Sequence, residues 1–210
     1  MALSRDGIVE AAIEILDRDG EDALTFRALA ARLATGSGAL YWHVANKNEL
    51  LAAGADHVIA CVVSDVVTAA TPQESIRAIA LGLFDALEAH PWVGAYFTYA
   101  PWTALMRIFE SVGAQVQALG VPESRQFDCA SALVHYILGV AGQNAANARL
   151  FPGEVDRSAF LAGVADTWTR HDVADYPFVH QVAAQLRDHD DREQFLTGID
   201  LILAGIEQES

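Results

Sequence analysis

Seven histidines and 28 acidic residues could supply metal or hydrolytic chemistry, but their spacing forms no catalytic pattern. The sequence contains no HExxH, GxSxG, P-loop, GxGxxG or helical ExxH motif. The acidic run at residues 188–191, Asp-His-Asp-Asp, could chelate a cation, but a charged linker between two helices is the simpler explanation. His171 beside Asp172 has the same explanation. We therefore expect no enzyme, no catalytic residue, no metal site and no cofactor.

A segment between residues 36 and 47 combines small side chains with aromatic and basic ones. Gly38 and Ala39 carry almost no side chain, so a helix that starts there can approach the edges of DNA bases. The residues that could reach the groove wall or phosphates are Tyr41, Trp42 and His43. Lys47 is the only lysine, and it follows Asn46, a predicted helix cap. Its ammonium and the first free N–H groups of the next helix would form a phosphate site.

Aromatic residues also cluster between residues 92 and 109, in a stretch that Pro91 precedes and Pro101 interrupts. Such a pocket would suit a flat, largely apolar ligand if polar groups from elsewhere oriented it. The candidate effector-binding residues are Trp92, Phe97, Trp102, Phe109, His135 and Gln143. The alternative is that these aromatic side chains only fill a hydrophobic core.

The elements that position these candidates are helices. Apolar residues recur at three- and four-residue steps along the sequence, and two-residue alternation does not persist. The fold class is therefore all-α. The pattern predicts a first helix from about Ser4 to the Asp19-Gly20 turn, a second after its cap Thr25, a third over 39–43 and a fourth capped by Asn46. Six prolines mark later boundaries, which give helices near 73–89, 92–99, 102–119, 123–149, 157–170, 177–188 and 191–208.

The composition of the chain restricts its cellular location and its binding partners. A formal net charge of −15 should repel phosphates and anionic lipids, so any contact with nucleic acid must be local. Cys61 and Cys129 lie far apart and favour neither a disulfide framework nor a zinc site. The sequence has no apolar signal core or membrane span, so we expect a cytoplasmic protein that binds no membrane.

The string Leu-Tyr-Trp-His-Val at 40–44, followed by Asn46-Lys47, resembles the TetR family of bacterial transcription regulators, especially its tetracycline-repressor-like branch. The close match runs from about Ser4 to Leu51, and weaker similarity continues at 134–139 and 195–207. The resemblance implies an N-terminal three-helix helix-turn-helix domain at 1–50 and a larger helical effector-binding and dimerisation domain at 51–210. It also implies a homodimer on a double-stranded DNA operator, most simply a repressor that a small apolar or aromatic effector releases.

The same resemblance implies which residues of the first domain contact the DNA backbone and which face the bases. The residues implied to contact the DNA backbone are Arg27, Tyr41, His43 and Lys47. The residues implied to face bases are Ser37, Gly38, Ala39 and Trp42. Dimerisation is implied for the last helix, with its apolar stripe at 195–206, and for the helix at 123–149, where Gly139 and Gly142 would allow close approach. Packing within one chain is the competing explanation.

The sequence departs from the family pattern in three respects, and each departure leads to its own prediction. Ala34, Thr35 and Gly36 stand where the family has a turn glycine, an aliphatic residue and a capping serine, so the turn could differ. Through residue 55 the chain has five basic and eight acidic residues, a net charge of −3, which predicts a shallow salt dependence of DNA binding. Gln143 stands where the tetracycline-binding branch has an acidic ligand, so we expect no magnesium requirement.

A second function class remains open from the sequence. The chain could be a helical small-molecule carrier or enzyme that uses the aromatic pocket, with its first fifty residues serving only as structure. Sequence-dependent binding to the DNA upstream of its own gene separates the two classes, because a carrier would show none.

Overall fold

The computed structural model describes residues 3–65, 71–96, 103–150 and 157–208. Within these ranges the chain forms ten α-helices, two short 3₁₀ segments and no strand, which confirms the all-α prediction. The helices are α1 (Arg5–Asp19), α2 (Phe26–Arg32), α3 (Ser37–Leu40), α4 (Lys47–Asp65), α5 (Pro72–Ala89), α6 (Thr103–Ala118), α7 (Glu123–Leu150), α8 (Arg157–Trp168), α9 (Pro177–Arg187) and α10 (Asp191–Glu207).

Polar side chains begin the N-terminal helices where the sequence predicts them. The Ser4 hydroxyl accepts from the amide of Gly7, and the Thr25 hydroxyl accepts from the amide of Ala28. The Asn46 side chain accepts from the amide of Glu49 at 2.9 Å. Each contact satisfies an amide that has no partner within its helix.

Most helix ends agree with the sequence prediction to within two residues, and two segments differ in a way that matters for the site. The third helix covers Ser37–Leu40 rather than 39–43, because Gly36 alone holds the extended N-cap position and Ser37 already turns into the helix. Residues 41–43 form a turn in which the amides of His43 and Val44 both donate to the carbonyl of Leu40. The segment predicted as a helix at 92–99 contains the 3₁₀ segment Val93–Tyr96, and its remainder lies outside the described residues.

One hydrophobic core runs from the N-terminal helices into the body. α1 contacts both α2 and α4, and α3 contacts α2. In the body, α7 packs against α5, α6 and α10, while α4 reaches α5 and α6. α4 therefore belongs to both parts. A movement of the N-terminal helices relative to the body would change the contacts of α4 or those of α1.

Candidate nucleic-acid interface and ligand cavities

The turn between α2 and α3 keeps its helix-ending geometry although it lacks a glycine. Ala34 has a φ of 49°, in the left-handed region that glycine normally occupies. The amide of Thr35 donates to the carbonyl of Ala30, and the amide of Ala34 donates to the carbonyl of Ala31. This pair of bonds is the Schellman motif, so the substituted turn ends α2 and directs the chain into α3.

Beyond this turn lies a surface of small and aromatic side chains. Trp42 is 90% exposed and Tyr41 is 57% exposed. The Tyr41 ring stacks on Phe26 of α2, with ring centroids 4.4 Å apart and planes 5° apart. Ser37 and Gly38 are exposed, Ala39 and His43 are half-buried, and Leu40 is fully buried beneath them. Leu40 therefore fixes this short helix from below, and the predicted contact residues stay outside the core.

Arg27 and Lys47, the Arg and Lys side chains among the residues implied to contact the DNA backbone, differ in their availability. Arg27 is exposed on α2 and makes no ion pair or hydrogen bond with any residue in the described part of the chain. The Lys47 ammonium donates to the carbonyl oxygen of Glu21 at 2.6 Å and lies 3.9 Å from the Glu21 carboxylate. Because an ammonium has three donors, Lys47 can hold Glu21 and still offer a hydrogen to a phosphate.

The remaining cations of the N-terminal helices are also paired with carboxylates. Arg5 bonds Glu49 at 3.4 Å, while Arg18 and Arg32 form ion pairs with Asp19 and Glu14. Of the five cations before residue 55, only Arg27 lacks a carboxylate partner among the described residues. The positive charge available to a DNA backbone is therefore small, and among the described residues only that of Arg27 on α2 has no carboxylate partner.

Trp92, a predicted effector-binding residue, lies at the junction of the N-terminal helices and the body. It is buried, and its Nε1–H donates to the Asp17 carboxylate of α1 at 2.7 Å. The Nδ1 atom of His90 lies 2.8 Å from the same oxygen. A Cβ atom added at Gly54 of α4 would lie 3.0 Å from the Trp92 ring. We call this cluster of Asp17, Gly54, His90 and Trp92 the joint.

The other predicted effector-binding residues that the structure describes lie at separate places in the body. Phe109 packs on Phe127 with ring centroids 5.6 Å apart, between α6 and the start of α7. His135 is exposed on α7. Gln143 borders a cavity further along the same helix. Phe97 and Trp102 lie outside the described residues.

The cavity beside Gln143, which we call the body cavity, lies between α5, α7, α8 and the start of α10 and has a volume of about 1180 Å³. Asn144 and Asn147 join Gln143 along α7, and the aromatic walls come from Phe84, Phe160 and Trp168. Sequence spacing did not identify these aromatic residues, because they lie on helices that are distant along the chain. Arg157 and Arg192 at the rim pair with Asp191 and Asp85.

A second cavity, the joint groove, lies between α1, α4 and α5 and has a volume of about 810 Å³. Its lining residues include Glu10, Glu14, His57, Cys61 and His90, above an apolar floor. Cys61 is exposed and Cys129 is buried, and both are free thiols. No residue of the joint groove was predicted as a binding residue from the sequence.

The acidic run before α10 has structural roles in the protein. The Asp190 carboxylate accepts from the amide of Glu193 and caps α10, and Asp191 bonds His189 at 2.9 Å. Among the residues that the structure describes, no three His, Cys, Asp or Glu side chains are grouped to hold a metal ion. None of the described helices is both long enough and apolar enough to cross a membrane.

Comparison with known proteins identifies the family of both parts. Residues 8–53 match the bacterial regulatory proteins of the tetR family, and residues 68–210 match the tetracyclin repressor-like C-terminal domain. A transcriptional regulator of Streptomyces coelicolor, a TetR, is 54% identical, with a TM-score of 0.91 over 99% of each chain.

Two further relatives are more distant. An HTH-type transcriptional regulator of Saccharopolyspora erythraea is 35% identical over 140 residues, 65% of this chain and 59% of that protein, so the match spans about three-fifths of this curated relative. BioQ, solved with its double-stranded DNA operator, is 26% identical, with a TM-score of 0.66 over 98% of this chain and 99% of that chain. The fold, the turn between α2 and α3 and these matches together place the chain in the TetR family of bacterial transcription regulators.

Proposed function

We propose that the protein is a homodimeric repressor that binds a DNA operator and leaves it when a small molecule occupies the body cavity. The observation that carries this proposal is the exposed surface of α3 and the following turn, where Trp42 projects almost wholly into solvent. An aromatic side chain at such exposure buries apolar area only when a partner covers it. BioQ, a relative with the same fold, binds a DNA operator.

On DNA, the contact residues divide by what each side chain can do. Ser37, Gly38, Ala39 and Trp42 face base edges, because small residues let the helix approach and Trp42 reaches past them. Arg27, Tyr41, His43 and Lys47 contact the DNA backbone, which positions the helix without specifying sequence. Arg27 acts without first breaking an ion pair, whereas Lys47 shares its ammonium with Glu21.

Dimerisation places two such surfaces on one operator. Gly139 and Gly142 lie on α7 where an added Cβ would meet nothing within 4 Å in the described part of the chain. Leu201 of α10 is 71% exposed. We propose that α7 and α10 pack against their copies across a two-fold axis, which would set the two recognition helices about 34 Å apart, one turn of DNA.

The effector would bind in the body cavity, where the amides of Gln143, Asn144 and Asn147 face aromatic walls. This assignment retains Gln143 from the sequence prediction and assigns Trp92 to the joint instead. Because Trp92 bonds α1 and contacts α4, it would carry a shift of the body to the N-terminal helices. An effector acts in this way only if it binds the two arrangements with different affinity.

We further propose that the domains divide near residue 50, within α4, and that the protein acts in the cytoplasm without catalysing a reaction. The alternative function, a small-molecule carrier, uses the same body cavity but assigns no partner to Trp42. The proposal therefore depends on the role of the exposed N-terminal surface.

The test is a gel-shift measurement with the DNA upstream of the protein's own gene and a scrambled duplex of the same composition. We expect the wild-type protein to prefer its own DNA and Trp42→Ala to lose most of that preference. Phe178→Ala, which removes another exposed aromatic side chain from α9, is the matched control and should keep it. Equal binding of both duplexes by the wild-type protein would contradict the proposal and favour the carrier.

A further inference from the structure

The joint groove differs from the body cavity in position and in chemistry. Its walls come from α1 on one side and from α4 and α5 on the other, so it spans the N-terminal helices and the body. Its floor is apolar and includes Ile13, Val58, Val62 and Ala86. A ligand there would touch the DNA-binding unit directly, which a ligand in the body cavity would not.

Carboxylates on the α1 wall determine which charge the groove accepts. Glu10 and Glu14 lie one helical turn apart and both line it. Glu14 already forms an ion pair with Arg32, whereas Glu10 makes no ion pair or hydrogen bond with any residue in the described part of the chain. Among the described residues no Lys or Arg lines the groove, and its remaining polar groups are His57, Cys61 and His90. The groove therefore offers a net negative rim above an apolar floor.

We propose that the joint groove is a second ligand site and that its ligand is a compact organic cation with an apolar or aromatic body. The ammonium of such a molecule would pair with Glu10 while its body covers the floor between α1 and α4. The net charge of −15 favours the approach of a cation and opposes that of an anion. This proposal rests on the groove itself and does not depend on the effector assigned to the body cavity.

Occupancy of this site would act on the orientation of the N-terminal helices. His90 lines the groove and also contacts Asp17 of α1 through its Nδ1 atom. A ligand seated between α1 and α5 therefore lies next to the joint. Binding would favour whichever separation of α1 and α5 fits the ligand best.

Cys61 provides a local readout of binding. It is exposed in the groove, whereas Cys129 is buried in α7 and serves as an internal reference. The experiment measures alkylation of both thiols by iodoacetamide, using mass spectrometry of the full-length protein. Three probes of similar shape are compared: 1-naphthylmethylammonium, 1-naphthylmethanol and 1-naphthylacetate. We expect the cation to protect Cys61 at the lowest concentration and the anion to protect it least.

Substitutions then locate the protection. Glu10→Gln removes the charge but keeps the shape, and should weaken protection by the cation about three- to five-fold, the effect of an exposed ion pair. Glu110→Gln, at an exposed carboxylate on α6, is the matched charge control and should change nothing. Ala78→Trp fills the groove from an exposed position on α5 and should abolish probe protection, whereas Asn144→Ala in the body cavity should leave it unchanged.

The proposal is wrong if the three probes protect Cys61 equally, if none protects it, or if Glu110→Gln weakens protection as much as Glu10→Gln. Protection that survives Ala78→Trp would also overturn it. Loss of the operator preference in the gel-shift measurement would refute the proposed repressor but leave this test unaffected, so the two failures are distinguishable.

Discussion

Arg27 is the residue on which electrostatic attraction to DNA depends most, because the other four cations of the N-terminal helices already contact carboxylates. We expect Arg27→Ala to weaken binding to operator and scrambled DNA alike, because a phosphate contact carries no sequence information. The slope of log K against log salt should fall in magnitude by about 0.9 for each phosphate that the protein no longer neutralises. Fluorescence anisotropy over a series of KCl concentrations measures both effects.

Arg187→Ala is the control for that substitution. Arg187 lies on α9 and pairs with Asp166 of α8, so its removal deletes one positive charge from the body without touching the DNA-contacting residues or the proposed dimer helices α7 and α10. We expect the salt slope to stay unchanged. An equal loss of affinity in both variants would mean that overall charge, rather than the Arg27 contact, controls binding.

Ala34 bears a conformational cost that a glycine would not. A left-handed backbone costs an L-residue about 1–2 kcal/mol, and glycine avoids this cost. Part of the advantage is lost because glycine has more conformational freedom in the unfolded chain. We therefore expect Ala34→Gly to raise the free energy of unfolding by about 0.5–1 kcal/mol, measured in urea. Ala31→Gly, inside α2, should lower it by about 0.5–1 kcal/mol. Destabilisation by both changes would show that the backbone at Ala34 is not left-handed.

The joint connects helix α1 to the body. The hydrogen bond from Trp92 to Asp17 can be removed by a substitution that keeps an aromatic ring at position 92. Trp92→Phe deletes the Nε1–H that donates to Asp17, and it also deletes the outer ring atoms that lie nearest Gly54 of α4. We expect the free energy of unfolding to fall by about 1.5–3 kcal/mol for the lost hydrogen bond to a charged group, and the lost contact with α4 adds to this loss. Urea unfolding measures it.

A further consequence of Trp92→Phe concerns coupling between the two parts. If the joint carries the effector response, the variant should still bind operator but should need more effector for release. Release at the wild-type effector concentration would remove the joint from the proposed mechanism.

Local sequence signals predicted the beginnings of the elements well and the contacts between them poorly. Thr25 and Asn46 cap their helices as predicted, because a cap needs only a side chain and an amide three residues away. The contact of Lys47 with Glu21 spans 26 residues and that of Trp92 with Asp17 spans 75 residues. Neither contact has a local signature, so the sequence predicts Lys47 as a phosphate contact and Trp92 as a pocket residue without predicting the partner of either.

The same limit applies to the cavities. The aromatic residues between 92 and 109 were predicted to form one group because they are neighbours in sequence. In the structure, Trp92 belongs to the joint, and Phe109 packs against Phe127. The body cavity takes its aromatic walls from α5 and α8, and only the fold brings these walls opposite the amides of α7.

At the scale of the whole molecule, dimerisation should depend on the exposed faces of α7 and α10. We expect Leu201→Asp to raise the dimer dissociation constant strongly, because it places a carboxylate in the proposed interface opposite its own copy. Met106→Asp, at a similarly exposed apolar position on α6, should leave the dimer intact. Sedimentation of both variants over a range of protein concentrations measures the effect, and a dimer that tolerates Leu201→Asp would move the interface elsewhere.

The central claim is that an acidic protein binds a specific duplex through few charge contacts and a small aromatic surface. The most direct measurement is the affinity of the purified protein for the DNA upstream of its gene as a function of KCl concentration. With Arg27 and Lys47 contacting phosphates in each protomer, a dimer makes about four such contacts, which predicts specific binding with a slope near −4. A slope near −10, or no preference for this DNA at low salt, would contradict the claim.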